Sequence, residues 1–199
     1  AIPLMLCGLA VALPLRANLW NIGGEGQFLM GAFGASAVAL YLPQLPGFVL
    51  IPGMILAGFT AGALWGLIPG VLNARFKISE IIVTLMLNYI ALNWVDYLVY
   101  GPMRDHKGYS NFPLTPKFVQ QAWFPRIPKT RLHIGLILAL LTAVSLYFVI
   151  KKMKIGYELR IVGANPNVAQ YGGIDTAKIT ILVMAFAGPS YRSQEFYTA

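Results

Sequence analysis

The chain has 199 residues, of which 57% are hydrophobic and only 11% are charged, with a formal net charge of +8 at pH 7. Soluble domains carry about 25% charged residues, so this composition excludes an ordinary soluble domain and indicates an integral membrane protein. The basic residues lie between apolar runs, which argues against nucleic-acid binding. A single cysteine, Cys7, excludes an intrachain disulfide and a metal-thiolate site.

Apolar runs separated by polar connections predict an all-α protein, a polytopic transmembrane helical bundle with about five to six membrane segments. The first run ends near Pro14, and the glycine-rich stretch that follows predicts a broken or re-entrant helix near residues 18–27. Further helices are predicted at residues 27–42, 48–72, 80–100 and 132–150, and a last apolar run begins at Ile179.

Two long connections separate the later helices. Residues 101–131 contain five prolines and predict a structured loop outside the bilayer, whereas residues 151–178 predict a loop that is basic at its start. If the helices alternate in direction, residues 73–80 and 151–178 share one side with seven Lys or Arg, and the long loop opposite carries six. Charge alone therefore leaves the orientation open.

The glycine-rich segment NIGGEGQF at residues 21–28 interrupts two apolar runs with Asn21, Glu25 and Gln27. Inside a bilayer, non-helical backbone and ionisable side chains are tolerated only where protein buries them or where they line a watery cavity. The segment is therefore a candidate functional site. The alternative is a surface loop between two spans, with Glu25 solvated; the glycine spacing does not fit a nucleotide-binding motif.

A polar stripe follows one face of the helix predicted at residues 80–100. Glu80, Thr84 and Asn88 recur at four-residue spacing, and Asp96 continues the stripe two turns later. Within a membrane this face must turn to a water-filled path or to partner helices. A translocation path and simple interhelical hydrogen bonding both remain open.

Four glycines share one face of the helix predicted at residues 48–72: Gly58, Gly62, Gly66 and Gly70. Side-chain-free faces let helix backbones approach closely in membranes. The stripe predicts helix packing within the chain, with a dimer face as the alternative.

A short capped helix is predicted in the second long connection. Asn165 suits an N-cap, Pro166 suits the first helical position, and Gly172 and Gly173 suit a C-terminal stop. Such a helix projecting from a basic loop can bind a soluble partner. The alternative is a local structural feature of the loop that binds no partner.

No catalytic or phosphate-binding motif is found in the sequence. Because a G-x-x-x-x-G-K-[ST] loop is missing, the chain is not itself an ATPase. His106 and His133 are the only histidines and belong to no recognisable metal or catalytic pattern, which argues against an enzyme.

Three segments together resemble the permease subunits of bacterial ABC importers for nucleosides and simple sugars, within the branched-chain amino acid permease superfamily. These segments are NIGGEGQFLMG at residues 21–31, EIIVTLMLNYI at 80–90 and GYELRIVGANPNVAQYGGI at 156–174. The resemblance implies that residues 156–174 include a cytoplasmic coupling helix and that 101–131 face outward. It implies no bond chemistry in this chain.

The resemblance further implies a multi-pass protein of the cell inner membrane that works with other subunits. These are a second permease, ABC ATP-binding subunits that use ATP and Mg, and an extracytoplasmic substrate-binding lipoprotein. No cofactor is expected on this chain itself. Purine nucleosides are the first expected substrate and simple sugars the second.

On this resemblance, residues 1–188 are expected to form part of a permease domain that lacks the first helix and the C-terminal helices, and 189–199 form an atypical polar tail. The expected path is bordered by Asn21, Glu25, Gln27, Thr84 and Asn88. Coupling to the ATPase is expected at Gly163, Asn165, Pro166, Ala169 and Gly172. The alternative functions are an ATP-independent carrier and a structural subunit of a membrane complex.

Overall fold

The computed structural model describes residues 2–105, 115–118 and 135–187, and within them the side chains of all but residues 2–7 and 138. This part of the chain is all-α, as predicted, and contains no strand. Its helices are α1 (Ile2–Arg16), α2 (Gly24–Tyr41), α3 (Gly47–Phe76), α4 (Glu80–Tyr100), α5 (Gly135–Lys152), α6 (Lys154–Ala164), α7 (Pro166–Tyr171) and α8 (Thr176–Ala187).

The break between α1 and α2 is found at residues 17–23. Helix α1 continues through Pro14 to Arg16, and α2 begins at Gly24, three residues before the predicted start at Gln27. Asn18 adopts a left-handed conformation with φ of 56°, which turns the backbone after α1. Glu25 and Gln27 consequently lie in the first turn of a helix and not in a loop.

Helix α4 has the predicted bounds, and α3 extends beyond the predicted 48–72 at both ends. Helix α3 ends where Lys77 takes a left-handed conformation with φ of 55°. Most of the proline-rich connection 101–131, both histidines and the tail 189–199 lie outside the described residues.

The connection at residues 151–178 contains the predicted short helix α7, but the rest of the predicted loop is wrong, because it also contains α6 and the start of α8. Helix α6 is amphipathic: Gly156, Leu159 and Val162 face inward at three-residue spacing. Its exposed positions mix the basic Lys154 and Arg160 with Ile155 and Tyr157.

Helices α3, α4 and α5 are long and apolar enough to cross a bilayer, and α8 is a shorter apolar helix of 12 residues. Helix α3 packs most extensively against α2 and α8. Apart from these contacts, a hydrophobic core, here called the second core, joins α1, α6, α7 and α8. It is formed by Leu13, Ala17, Leu159, Val162, Ala169, Ile179 and Val183. The chain is thus an integral membrane bundle with α6 and α7 packed at one end of α1 and α8.

The four-glycine stripe of α3 is buried between neighbouring helices of the same chain. A Cβ on Gly66 would overlap the Met184 carbonyl of α8, and a Cβ on Gly70 would lie 3.1 Å from Ile181 Cα. On the α2 side, a Cβ on Gly31 would lie 3.1 Å from the Gly58 carbonyl oxygen. The stripe therefore serves packing within the chain.

Candidate functional site

Local hydrogen bonds shape the break just before α2. The Asn21 side-chain oxygen accepts from the Gly23 N–H at 2.9 Å, forming an Asx turn. The Asn21 amide also donates to the Gln27 side-chain oxygen at 3.4 Å, across the first turn of α2. Asn21 thus stabilises the backbone conformation of the break in which it lies.

Asn88 of the neighbouring helix α4 makes two hydrogen bonds to the backbone at the break. Its Oδ1 accepts from the Gly26 N–H at 2.9 Å, and its Nδ2 donates to the Ile22 carbonyl at 3.0 Å. Gly23, at the N-cap position of α2, has no side chain that could make a capping bond, so Asn88 caps this helix from 62 residues away. Asn88 is only 7% exposed; its bond to Gly26 is buried, and its bond to Ile22 is partly buried.

The glycines of the break allow α4 to approach this closely. A Cβ on Gly26 would lie 2.8 Å from Asn88 Oδ1 and 3.1 Å from Asn88 Cα, and one on Gly23 would lie 2.9 Å from Thr84 Cβ. Thr84 is fully buried at this contact, and its hydroxyl donates to the Glu80 carbonyl at 2.7 Å. The glycine content of the motif therefore reflects a close approach between helices.

Gln27 extends the junction to α8. It is 1% exposed, and its Nε2 donates to the Met184 carbonyl at 3.3 Å. Gly66 of α3 lies beside both groups. A single buried amide thus links α2, α3 and α8 at the level of the break.

Glu80 connects the start of α4 to the break. Its carboxylate accepts from the Trp20 N–H at 3.4 Å and from the Asn73 side-chain amide at 2.9 Å. Ser79 occupies the N-cap position of α4 without a side-chain capping bond. Glu80 therefore has one partner in the break and one near the end of α3.

The structure brings four of the predicted path residues into one buried cluster, here called the Asn88 junction: Asn21, Gln27, Thr84 and Asn88. The fifth, Glu25, is exposed at the start of α2. In this conformation the amides of the junction bind protein groups, which is the geometry of interhelical hydrogen bonding. The stripe does not continue to Asp96, which is exposed.

The capped helix predicted at residues 165–173 is present as α7. The Asn165 side chain accepts from the N–H groups of Asn167 at 3.0 Å and Val168 at 3.3 Å, with Pro166 at the first helical position. Gly172 is the C-cap, and Gly173 has a positive φ of 76°. This part of the sequence prediction is confirmed.

Two of the predicted coupling residues face the interior of the chain. Ala169 is fully buried in the second core, and a Cβ on Gly163 would overlap the Arg16 carbonyl at the end of α1. The outward side of α7 instead carries Val168, 57% exposed, and Tyr171, 93% exposed. Neither residue was selected from the sequence, because its outward position depends on how α7 packs.

Asp175 caps α8 immediately after α7. Its Oδ1 accepts from the Lys178 N–H at 3.1 Å, and its other oxygen lies 3.3 Å from Lys178 Nζ. The backbone hydrogen bond from Lys178 is the main cause that lowers the pKa of Asp175, with the lysine charge adding to it. The aspartate is thus held in its charged form at the positive end of the α8 dipole.

Residues 1–189 match the family model described as the branched-chain amino acid transport system permease component. The chain belongs to this permease family. The match confirms the resemblance carried by the three motifs, and the matched range includes both the Asn88 junction and the α6–α7 element.

Three relatives of this permease are transporter permeases named for nucleosides or a sugar. The guanosine ABC transporter permease of Bacillus subtilis is 40% identical over 94% of the chain and 53% of its own length. The glucose ABC transporter permease of Haloferax volcanii is 38% identical over 94% of the chain and 52% of its own length.

The nucleoside ABC transporter permease of Lactococcus lactis is 33% identical over 94% of the chain and 53% of its own length. The chain thus spans about half the length of the curated relatives it matches. No solved structure matches the chain significantly.

Proposed function

We propose that the chain is the membrane-spanning permease subunit of an ATP-driven ABC importer, which moves nucleosides or simple sugars across the bacterial inner membrane. The main support for the proposal is the position of α8, which connects α7 to the Asn88 junction. This helix starts directly after α7 and presents the Met184 carbonyl to Gln27 of the Asn88 junction. A displacement of α7 would therefore reach the break through one helix.

The proposed partners follow from this arrangement and from the names of the relatives. ABC ATP-binding subunits, which use ATP and Mg, would contact the exposed Val168 and Tyr171 of α7 on the cytoplasmic side. A second permease subunit and an extracytoplasmic substrate-binding lipoprotein would complete the importer. The protein would cross the inner membrane several times.

The proposed mechanism is alternating access. Closure of the ATPase subunits would move α7, and α8 would transmit the motion to the junction around Gln27 and Asn88. Asn21, Glu25, Gln27, Thr84 and Asn88 would border the translocation path. In this proposal the buried amides define where the helices can separate, and Glu25 is already exposed.

Uptake by proteoliposomes tests this function. The full-length permease would be reconstituted with its ATP-binding subunits and binding protein, and uptake of labelled guanosine and glucose would be measured with ATP, without ATP, and with an ion gradient alone. Uptake that requires ATP and its hydrolysis is expected. Uptake driven by an ion gradient without the ATPase would establish an ATP-independent carrier, and the absence of uptake under every condition would favour a structural subunit.

A further inference from the structure

The outward face of α4 carries its own row of polar and aromatic side chains, opposite the Asn88 junction. Tyr89, Asn93, Asp96 and Tyr100 recur every three or four residues and are all exposed. Thr84 and Asn88, on the opposite face, are buried. Helix α4 is thus polar on both faces, and only one face is explained by contacts among the described residues.

The outward faces of the other two candidate spans differ from this row. On α3, the exposed Thr60 hydroxyl donates to the Ala57 carbonyl of its own helix at 3.1 Å. On α5, the exposed Ser145 hydroxyl donates to the Thr142 carbonyl at 3.0 Å. Hydroxyls bonded to their own helix can face lipid without an unsatisfied donor.

Asn93 and Asp96 cannot be satisfied in this way. Asn93 Nδ2 donates to the Tyr89 carbonyl at 2.7 Å, but among the described residues nothing donates to its Oδ1 or to the Asp96 carboxylate. Asn93 lies seven residues, or about 10 Å, from the end of α4, and in a helix that crosses the bilayer this distance corresponds to the hydrocarbon core. Polar groups at this depth face water or protein and not lipid.

The chemistry of the row fits a polar solute that contains a ring. Exposed tyrosine rings at Tyr89 and Tyr100, 62% and 65% accessible, offer flat apolar faces. The Asn93 carbonyl and the Asp96 carboxylate offer acceptors for hydroxyl and amino groups. Such a combination of apolar surface with a few polar groups is typical of small-molecule sites.

We propose that this outward face of α4 forms a solute-contacting wall of the translocation path. The occupant is a hydroxyl-bearing ring compound of the nucleoside or sugar class. The inference rests on the proposed function for its substrate class. The buried face of α4 then holds the break in place, and the outward face meets the solute.

Cysteine accessibility in the assembled importer tests the wall. All cysteines of the full-length permease, Cys7 among them, would be replaced, and single cysteines introduced as Tyr89→Cys, Asn93→Cys and Asp96→Cys. Matched controls are Ala91→Cys, on the buried face of α4, and Leu141→Cys, on the outward face of α5. A membrane-impermeant, negatively charged methanethiosulfonate reagent would be applied to proteoliposomes with and without guanosine or glucose.

Labelling is expected at the three wall positions and at neither control. A bound solute at about ten times its Kd should slow labelling roughly tenfold, because it occupies about nine-tenths of the sites. Protection by guanosine alone would assign a nucleoside path, and protection by glucose alone a sugar path. If the wall positions are labelled no faster than Leu141→Cys in a transporter that still takes up solute, the proposal that this face is a solute-contacting wall is overturned.

Absence of ATP-dependent uptake in the unmodified importer would instead count against the proposed function. If Asn93→Cys alone fails to assemble, Tyr89→Cys and Asp96→Cys give the same decision. Labelling without protection by either transported solute would also overturn the assignment, since it would show water access without solute contact.

Discussion

In the part of the chain that the structure describes, Asn88 and Asn165 each cap a helix, and they do so by different routes. Asn165 accepts from two N–H groups of α7, the helix that directly follows it, at an exposed site. Asn88 accepts from the Gly26 N–H of α2 across 62 residues of sequence, at a buried site, and also donates to Ile22. The first cap is local and borders water; the second joins two helices through a buried bond to Gly26.

This difference decides how much each residue stabilises the fold. A local cap replaced by alanine loses one favourable bond, and water can satisfy the freed N–H groups. A buried cap replaced by alanine leaves a donor and an acceptor without partners. We therefore expect the Asn88 junction to control the folding of the domain, and the α7 cap to control one short helix.

The largest effect is expected for Asn88→Ala. It leaves the Gly26 N–H and the Ile22 carbonyl unsatisfied, which should destabilise the protein by about 2–4 kcal/mol. Thermal unfolding of the detergent-solubilised full-length permease would measure this. Asn93→Ala is the matched control, because it removes the same side chain from an exposed position of the same helix; equal losses from both would refute a special role for the buried cap.

The glycines of the junction give the next largest effect. Gly26→Ala should cost about 1–3 kcal/mol, because the added Cβ would push against the Asn88 backbone. Gly8→Ala in α1 meets nothing within 4 Å and should stabilise by up to about 1 kcal/mol through helix propensity. Melting temperatures that move in opposite directions are expected, and a Gly26→Ala protein as stable as the parent would show that the helices are farther apart.

A smaller and more local effect is expected for Asn165→Ala. Loss of the cap should cost about 1 kcal/mol. Hydrogen exchange should accelerate in α7 and leave α2 unchanged, and in the assembled importer substrate-stimulated ATPase activity should fall relative to uptake. Asn167→Ala, which leaves the capping side chain intact, should behave like the parent; the same acceleration in both variants would argue against the cap.

The smallest effect concerns Asp175, the cap of α8. Its lowered pKa means that the charged cap's contribution is fully present above the ordinary carboxyl pKa, and is lost as the pH falls through the lowered pKa. Asp175→Asn should therefore melt slightly below the parent at neutral pH and together with it in strong acid. A difference that persists unchanged into strong acid would exclude the carboxylate as its source.

Local patterns explain what could be predicted from the sequence. The α7 cap was predictable because Asn165, Pro166 and Gly172 are close in sequence and each has a positional preference. The bounds of α4 were predictable because an apolar run ends at both sides in polar or helix-breaking residues. The all-α bundle follows from composition in the same way.

Long-range packing explains what could not be predicted. The hydrogen-bond partners of Asn88 could not be predicted, because they come from another helix and are visible only once α2 and α4 are packed together. The place of Asn88 on a translocation path stays a prediction. Helix α6 was not predicted because its inward face is buried only once α1, α5, α7 and α8 pack around it. The same sequence pattern, a polar stripe on an apolar helix, fits both a path and a buried junction.

The distinction between the two caps can be measured directly by hydrogen exchange on the full-length permease in detergent, for the parent and for Asn88→Ala. The peptide covering residues 17–30 should be protected in the parent and should exchange much faster in the variant, while residues 165–172 exchange equally in both. Unchanged protection of residues 17–30 in Asn88→Ala would contradict the claim that Asn88 holds the break in place.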